Sequence, residues 1–314
     1  MQYYLSVSHT DMSARRSRWR DPARRAERPV VKQLGTAQAA TDFPGGLVAL
    51  VGDDGQVRRS VPLWGVEGLL PLDGQLLAAC PWGISSLDPD LTGAAPYLSA
   101  PWCNYLHSMR PTEGGGLLVA STGVDLVAEV TGRAEEPSWQ WWATENGYPK
   151  DATGEVRDLD RTVDHRGLNY DTKLHTTHVN SALPLDADRV LATFFHQGAL
   201  MCIDRGTGKA VPLLEDLRRP HAVRRLDDQH LTLVDTGRGQ ALVVRLGPEL
   251  QAEVVSRVDA GTTWLQDAWF DGERWLLVDG ANSRVVHADA AGRTLRVDRF
   301  DLDWRLYEAV PVVR

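Results

Sequence analysis

Six ionisable side chains recur along the sequence where they could share one site. Each stands at or near the start of a short apolar run, and neighbours are about 40 to 46 residues apart, except for a gap of about 71 before the third. They are, in chain order, Glu67, His107, His178, His221, Asp267 and Glu308. Imidazole nitrogens and carboxylate oxygens gathered in one place suit a first-row divalent metal such as zinc, iron or manganese.

The residue types suggest a division of labour within this set. The predicted metal ligands are three histidines, His107, His178 and His221. Asp267 is predicted as a fourth ligand or as the base that deprotonates a metal-bound water. Glu67 and Glu308 would orient the histidines or serve as general acid and base.

A β-propeller is the fold that could bring these positions together. Helical periodicity is almost absent, and short β-type runs such as LVALV, GLLVAS, HLTLVD and RWLLVD alternate with turn residues. The repeat length fits a four-stranded blade, so six cycles predict an all-β propeller of six blades. The segment YEAVPVVR would supply the innermost strand of a blade whose other strands come from the N-terminal region, which closes the ring.

Two stretches exceed the repeat and are predicted as insertions in a single domain spanning residues 1–314. One covers about 11–44 and contains RRSRWRDPARRAERP, whose arginines favour a solvated loop over a nucleic-acid site. The other covers about 143–174 and runs directly into His175 and His178. Long insertions in a compact domain are often functional, so the second is placed to cover the site.

Composition narrows the class of partner. The formal net charge is -8, which argues against nucleic acid or an anionic membrane as partner, and a small-molecule substrate is expected. No leader-like or membrane-spanning apolar run is present in the sequence, which predicts a cytoplasmic protein. The three cysteines have no CxxC spacing and predict neither disulfides nor a thiolate zinc site. Oligomeric state is not indicated.

The succession HSM, HVNS, IDRGTGK, RPHA and LVDTG resembles the bacterial and fungal aryl sulfotransferases, which are six-bladed propellers. This resemblance covers about residues 107–240. It implies that His221 is a nucleophile that forms a transient sulfo-histidine. His107, His178 and Asn180 would then hold the sulfate oxygens.

The sequence departs from that family where the family has an arginine after the H-x-N strand. Phe194, Phe195 and His196 stand there instead, and nearby carboxylates would repel a sulfate. The blades DTGRGQALVVRL and DGANSRVVHAD also look like those of NHL and gluconolactonase propellers, in which a channel metal activates water or an enol. The predicted substrate-binding residues are Asn180, His175, His196 and Arg110.

Three functions therefore stay open. The first is a metal-dependent hydrolase, lyase or isomerase acting on a small polar metabolite in the channel. The second is sulfuryl transfer through His221, and the third is a propeller that binds a ligand without catalysis. Fold alone does not choose among them.

Overall fold

The computed structural model describes residues 1–13 and 45–312, and within them it is a six-bladed β-propeller. Each blade is a four-stranded antiparallel sheet, as the repeat predicts. The closing blade joins the two ends of the chain, because the last strand pairs with the first. Its strands are β1 (Tyr3–His9), β2 (Leu47–Val51), β3 (Val57–Pro62) and, innermost, β24 (Arg305–Pro311).

The other five blades follow one another along the chain, each starting with its innermost strand. Blade 1 contains β4 (Leu69–Leu72), β5 (Gln75–Cys80), β6 (Gly83–Leu87) and β7 (Ala94–Leu98). Blade 2 contains β8 (Leu106–Pro111), β9 (Gly116–Ser121), β10 (Leu126–Thr131) and β11 (Trp139–Trp142). Blade 3 contains β12 (Val179–Pro184), β13 (Arg189–Phe194), β14 (Ala199–Asp204) and β15 (Ala210–Leu214).

The last two of these blades have longer outer strands. Blade 4 contains β16 (Pro220–Arg225), β17 (His230–Asp235), β18 (Gln240–Leu246) and β19 (Ala252–Asp259). Blade 5 contains β20 (Leu265–Phe270), β21 (Arg274–Asp279), β22 (Arg284–Asp289) and β23 (Thr294–Arg299). The innermost strands therefore begin within three residues of the predicted starts.

The core lies between blades, because each sheet buries both of its faces against its neighbours. Six apolar clusters among the described residues match the six blade-to-blade contacts. Trp141 packs between blades 2 and 3, and Trp275 between blades 4 and 5, each only 1% exposed. These two tryptophans therefore serve packing, which stabilises the ring by removing large apolar surfaces from water.

The segment between β11 and β12 lies outside the six sheets. It contains two 3-10 turns, Ala143–Glu145 and Thr172–Leu174, and one isolated bridge between Lys150 and Val156. Asn104 fastens it to blade 2 by donating hydrogen bonds to the carbonyls of His165 and Leu168, at 2.6 and 2.9 Å. The segment thus runs over the end of the ring at which the innermost strands begin.

Most of the other predicted insertion, residues 14–44, lies outside the described residues, including its arginine cluster. In the described ranges, no helix is both long enough and apolar enough to span a membrane. The three cysteines are free and buried.

Candidate functional site

A β-bulge near the start of several innermost strands decides which side chain enters the channel. The pairs Leu106–Ser121 and Ser108–Ala120 skip His107. The same irregularity skips Asn180 in β12 and Gln266 in β20. A bulge re-aims the extra residue, so these side chains leave the ordinary strand alternation.

The structure therefore defines a ring of six residues at the channel end where the innermost strands begin, which we call the mouth ring. His107 contacts three other members, Glu67, Asn180 and Tyr307. Trp264 packs against His221 and donates a hydrogen bond to Gln266. The members of the mouth ring are Glu67, His107, Asn180, His221, Gln266 and Tyr307. Three predicted members are displaced from it.

The displacements have a simple origin. His178 lies two residues before Asn180 and outside β12. Asp267 and Glu308 each come one residue after the mouth-ring position, deeper in the channel. Gln266 and Tyr307 were missed, since a bulge adds a residue that the apolar pattern does not reveal.

His107 is held at both ring nitrogens. Its Nδ1 lies 2.9 Å from Oδ1 of Asn180, whose Nδ2 donates to the Pro220 carbonyl at 3.3 Å, which fixes the amide orientation. Its Nε2 contacts the carboxylate of Glu67. Because Oδ1 of Asn180 is an acceptor, Nδ1 of His107 carries a proton and Nε2 faces the buried carboxylate of Glu67.

Two buried hydrogen-bond donors of the mouth ring have no hydrogen-bond partner in the described part of the chain. They are the hydroxyl of Tyr307 and Nε2 of Gln266. The Tyr307 ring centroid is 5.5 Å from that of His107. Burial, with the nearby charge of Glu67, raises the pKa of Tyr307 well above its ordinary value, so its hydroxyl stays protonated. A buried donor without a partner costs stability and indicates a place for a ligand atom.

The pair His175 and His178 lies next to the mouth ring, and the ring centroid of His178 is 5.3 Å from that of His107. The two Nδ1 atoms are 2.5 Å apart and the rings stack at 4.7 Å. His178 has a left-handed backbone with φ of 49°. Burial lowers the pKa of His175 to about 3 and that of His178 well below its usual value, and nearby charges including His107 contribute. Both rings are therefore neutral at pH 7.

Asp125 holds that pair in place from blade 2. Its carboxylate accepts the backbone N–H groups of Thr176, Thr177 and His178 at 2.7, 2.9 and 2.6 Å, and it pairs with Arg157 of the inserted segment. Burial acts to raise the pKa of Asp125, but His175, Arg157 and these donors outweigh it and hold that pKa below the usual value. One carboxylate thus fixes both the insertion and the unusual backbone of His178.

His221 is positioned differently. Its Nδ1 lies 2.8 Å from the Arg219 carbonyl, so Nδ1 carries the proton and Nε2 keeps its lone pair. Burial lowers the pKa of His221 to about 3, and the charges of His107, Arg305 and Arg219 act in the same direction. The ring is neutral and a hydrogen-bond acceptor at pH 7.

We expect acid to destabilise the protein through His221. The His221 imidazole takes up a proton near pH 6.5 in the unfolded chain but only near pH 3 in the folded chain. The free energy of unfolding therefore falls as the pH drops between these two values. The slope for one histidine is about 1.4 kcal/mol per pH unit, or about 2 kcal/mol by pH 5. Urea unfolding at pH 7 and pH 5 measures the stability that is lost on acidification. We expect this loss to be about 2 kcal/mol smaller in His221→Asn than in the wild type. The variant His230→Asn, which changes a half-buried histidine on β17 beside Asp227, should match the wild type. Equal acid losses in all three proteins would contradict this account.

Asp267 and Glu308 are not free to act as bases. Arg224 lies 2.5 Å from Oδ1 of Asp267 and also contacts Oε1 of Glu308, while Arg110 is 3.5 Å from the same Oε1. The other oxygens accept backbone N–H groups of Ala309 and Leu69. These two carboxylates form a buried charge cluster with two arginines, whereas the sequence predicts Asp267 as a metal ligand or base and Glu308 as a general acid or base.

The charge cluster separates the mouth ring from a cavity of about 780 Å³ at the other end of the channel. Arg110, Arg224 and Glu308 line its inner side, and Arg205 and Trp269 line its wall. Arg110, predicted to bind substrate beside the histidines, therefore faces this cavity. His196 is half-buried near the mouth, with Nε2 3.0 Å from the Thr172 carbonyl.

The predicted metal ligands do not form one ligand set. Phe195 stands between two of them, with ring centroids 4.8 Å from His178 and 5.8 Å from His221. Both ring nitrogens of His107 are already engaged. Within residues 1–13 and 45–312, no three His, Cys, Asp or Glu side chains are grouped so as to hold a metal ion. The metal stays a prediction from sequence, and no step below runs through it.

Comparison with known proteins supports the fold class. A crystal structure of a protein of unknown function from Bacteroides caccae is 11% identical, with a TM-score of 0.59 and 98% of each chain covered. A nidogen/laminin complex is 10% identical, with a TM-score of 0.58, covering 98% of this chain and 97% of that one. A streptogramin B lyase is 13% identical, with a TM-score of 0.46, covering 76% and 83%.

At these identities the likeness to the first two structures shows the fold alone. No family model matches the chain. No curated protein matches it.

Proposed function

We propose that the protein is an enzyme that moves a proton on a small polar molecule at the channel mouth, as a hydrolase, lyase or isomerase. The observation that carries the proposal is the contact of His107 Nε2 with Glu67, beside the unpartnered hydroxyl of Tyr307. A purely structural ring would have satisfied that hydroxyl or replaced it with an apolar group.

Four side chains have complementary roles. The pair of His107 and Glu67 takes a proton from the substrate and holds it between Nε2 and the carboxylate. Asn180 keeps the imidazole in the required tautomer through Nδ1. Tyr307, protonated because its pKa is raised, donates a hydrogen bond to the substrate oxygen on which negative charge develops. The pair of His107 and Glu67 then returns this proton to the product.

A conversion screen tests the proposal. Wild type, His107→Gln and His230→Gln are incubated with hydroxy acids, lactones and esters, and products are read by mass spectrometry. We expect at least one compound to be converted by wild type and His230→Gln and about 100-fold more slowly by His107→Gln. Conversion by all three proteins at equal rates contradicts the proposal, and compounds that bind without conversion would favour a binding propeller.

Tyr307→Phe keeps this test independent of folding. The substitution removes only a hydroxyl that has no hydrogen-bond partner among residues 1–13 and 45–312, so the unfolding midpoint should be unchanged or slightly raised. Turnover of the same compound should fall about 10- to 100-fold, because the donor to the developing charge is lost. Unchanged turnover would assign Tyr307 to packing.

Sulfuryl transfer through His221 is the second candidate. Its support is the neutral imidazole with a lone pair on Nε2, since Nδ1 donates to the Arg219 carbonyl. An aryl sulfate donor should then leave a sulfo-group on His221, detectable as a mass gain in the peptide that contains it. A full set of unmodified peptides after incubation with donor would dismiss this candidate.

A further inference from the structure

Two arginines stand at the mouth of the channel without a carboxylate partner among the described residues. Arg219 lies over the rings of Phe195 and Trp264, with its guanidinium carbon 5.6 and 5.4 Å from their centroids. Arg305 begins β24, two residues before Tyr307. Both lie close enough to His221 to act on its charge. Elsewhere in the channel, Arg110 and Arg224 are each paired with acids, so these two cations differ from the rest.

The guanidinium of Arg219 is held before any ligand arrives. Its position over two aromatic rings restricts an otherwise mobile side chain, and its backbone carbonyl anchors His221 Nδ1. A charged group that is already ordered binds a ligand with a smaller loss of entropy. Arg219 is therefore arranged to receive an anion over the mouth ring.

Neutral hydrogen-bond donors lie next to these charges. The hydroxyl of Tyr307 and Nε2 of Gln266 are buried and have no partner in the described ranges. Gln266 is oriented by Trp264, whose Nε1 donates to its Oε1 at 2.7 Å. The Trp264 ring is also one of the two beneath Arg219. Unpartnered donors thus lie beside a cation at the mouth ring, and acceptor oxygens of a ligand would satisfy them.

We propose that the mouth ring binds a small organic carboxylate, with Arg219 and Arg305 on the carboxylate and Tyr307 and Gln266 on its oxygens or on a neighbouring oxygen. This proposal rests on the function proposed above and specifies the substrate class. A planar guanidinium matches the two oxygens of a carboxylate. Two cations and the one carboxylate of the mouth ring, Glu67, leave one positive charge in excess, which favours a monoanion over a phosphate.

Titration calorimetry with matched acids and amides tests whether the ligand is a carboxylate. The probes are benzoate with benzamide and pyruvate with pyruvamide, because each amide keeps the shape of its acid and removes the charge. We expect at least one acid to bind at least 10-fold more tightly than its amide. Arg305→Gln and Arg219→Gln should each weaken the acid about 10-fold and leave the amide unchanged. Arg257→Gln, an exposed arginine on β19 with the same change in net charge, should bind like the wild type.

The outcomes separate this inference from the enzyme proposal. Equal affinity for acid and amide, no binding of either, or unchanged affinity in both arginine variants would overturn the carboxylate site whatever the protein catalyses. A preference for benzenesulfonate over benzoate would overturn it in favour of sulfuryl chemistry. Acid-selective binding that His107→Gln retains, with no conversion in the screen, would support the site and remove the enzyme proposal.

Discussion

Replacing Arg224 with methionine should cost about 3–5 kcal/mol of unfolding free energy, because two buried carboxylates lose their main counter-charge. Arg224 contacts Asp267 and Glu308 at once, and the alternative partner Arg110 is 3.5 Å from Glu308. Methionine keeps much of the volume, so the loss reports charge and not a cavity. Urea unfolding at pH 7 measures it.

The matched control is the next residue. Arg225 donates to the carbonyls of Pro184 and Leu185 at the surface, so Arg225→Met should cost about 1 kcal/mol or less. The Arg224→Met loss should also shrink at acidic pH. Burial raises the pKa of Asp267 even beside Arg224, and without that arginine the folded protein takes up protons more readily than the unfolded chain. Equal losses for the two variants, or a loss that grows on acidification, would contradict the charge-cluster account.

Asp125→Ala is the second large effect, about 3–5 kcal/mol, because it leaves three backbone N–H donors and Arg157 without their buried acceptor. Besides this loss of stability, the folded variant should show faster hydrogen exchange than the wild type at the amides of Thr176, Thr177 and His178. The left-handed backbone of His178 should relax once its N–H is released.

Asp151 provides the control for Asp125. It also accepts several hydrogen bonds, from the backbone of Thr153 and Glu155 and from the Thr153 hydroxyl, but it is in an exposed turn of the inserted segment. Asp151→Ala should therefore cost about 1 kcal/mol or less, since water replaces the lost contacts. Similar losses for the two aspartates, or unchanged exchange at residues 176–178, would show that Asp125 does not position the histidines.

The fold could be predicted because blade length and strand alternation are local properties of the sequence. Runs such as GLLVAS and HLTLVD mark strands whose two faces are both buried, and their spacing gives the number of blades. The closing blade followed from the same count, since YEAVPVVR had no sheet of its own. Nothing beyond the repeat was required.

The site was predicted only in part because its register depends on bulges. His107 and His221 occupy mouth-ring positions, and Asn180 of the H-x-N segment lies beside them. His178 precedes that ring because the bulge in β12 carries Asn180 instead. A sequence pattern with period two cannot show where an extra residue is inserted.

The spacing of two channel arginines in the sequence also carries information about the site. Arg110 and Arg224 each lie three residues after a mouth-ring histidine, and both end up beside Glu308. Carboxylates confined in a channel need cations or protons, and the two arginines supply the cations for Asp267 and Glu308. Arg219 and Arg305 differ from them in having no carboxylate partner among the described residues.

The location of a bound substrate tests the central claim most directly. A crystal structure of the protein with a compound from the conversion screen, or with the acid that binds most tightly, should place that compound at the mouth ring. We predict its reacting atom within about 3.5 Å of the pair of His107 and Glu67, with an oxygen on the Tyr307 hydroxyl. A compound bound instead in the opposite cavity, between Arg205 and Trp269, would contradict the account.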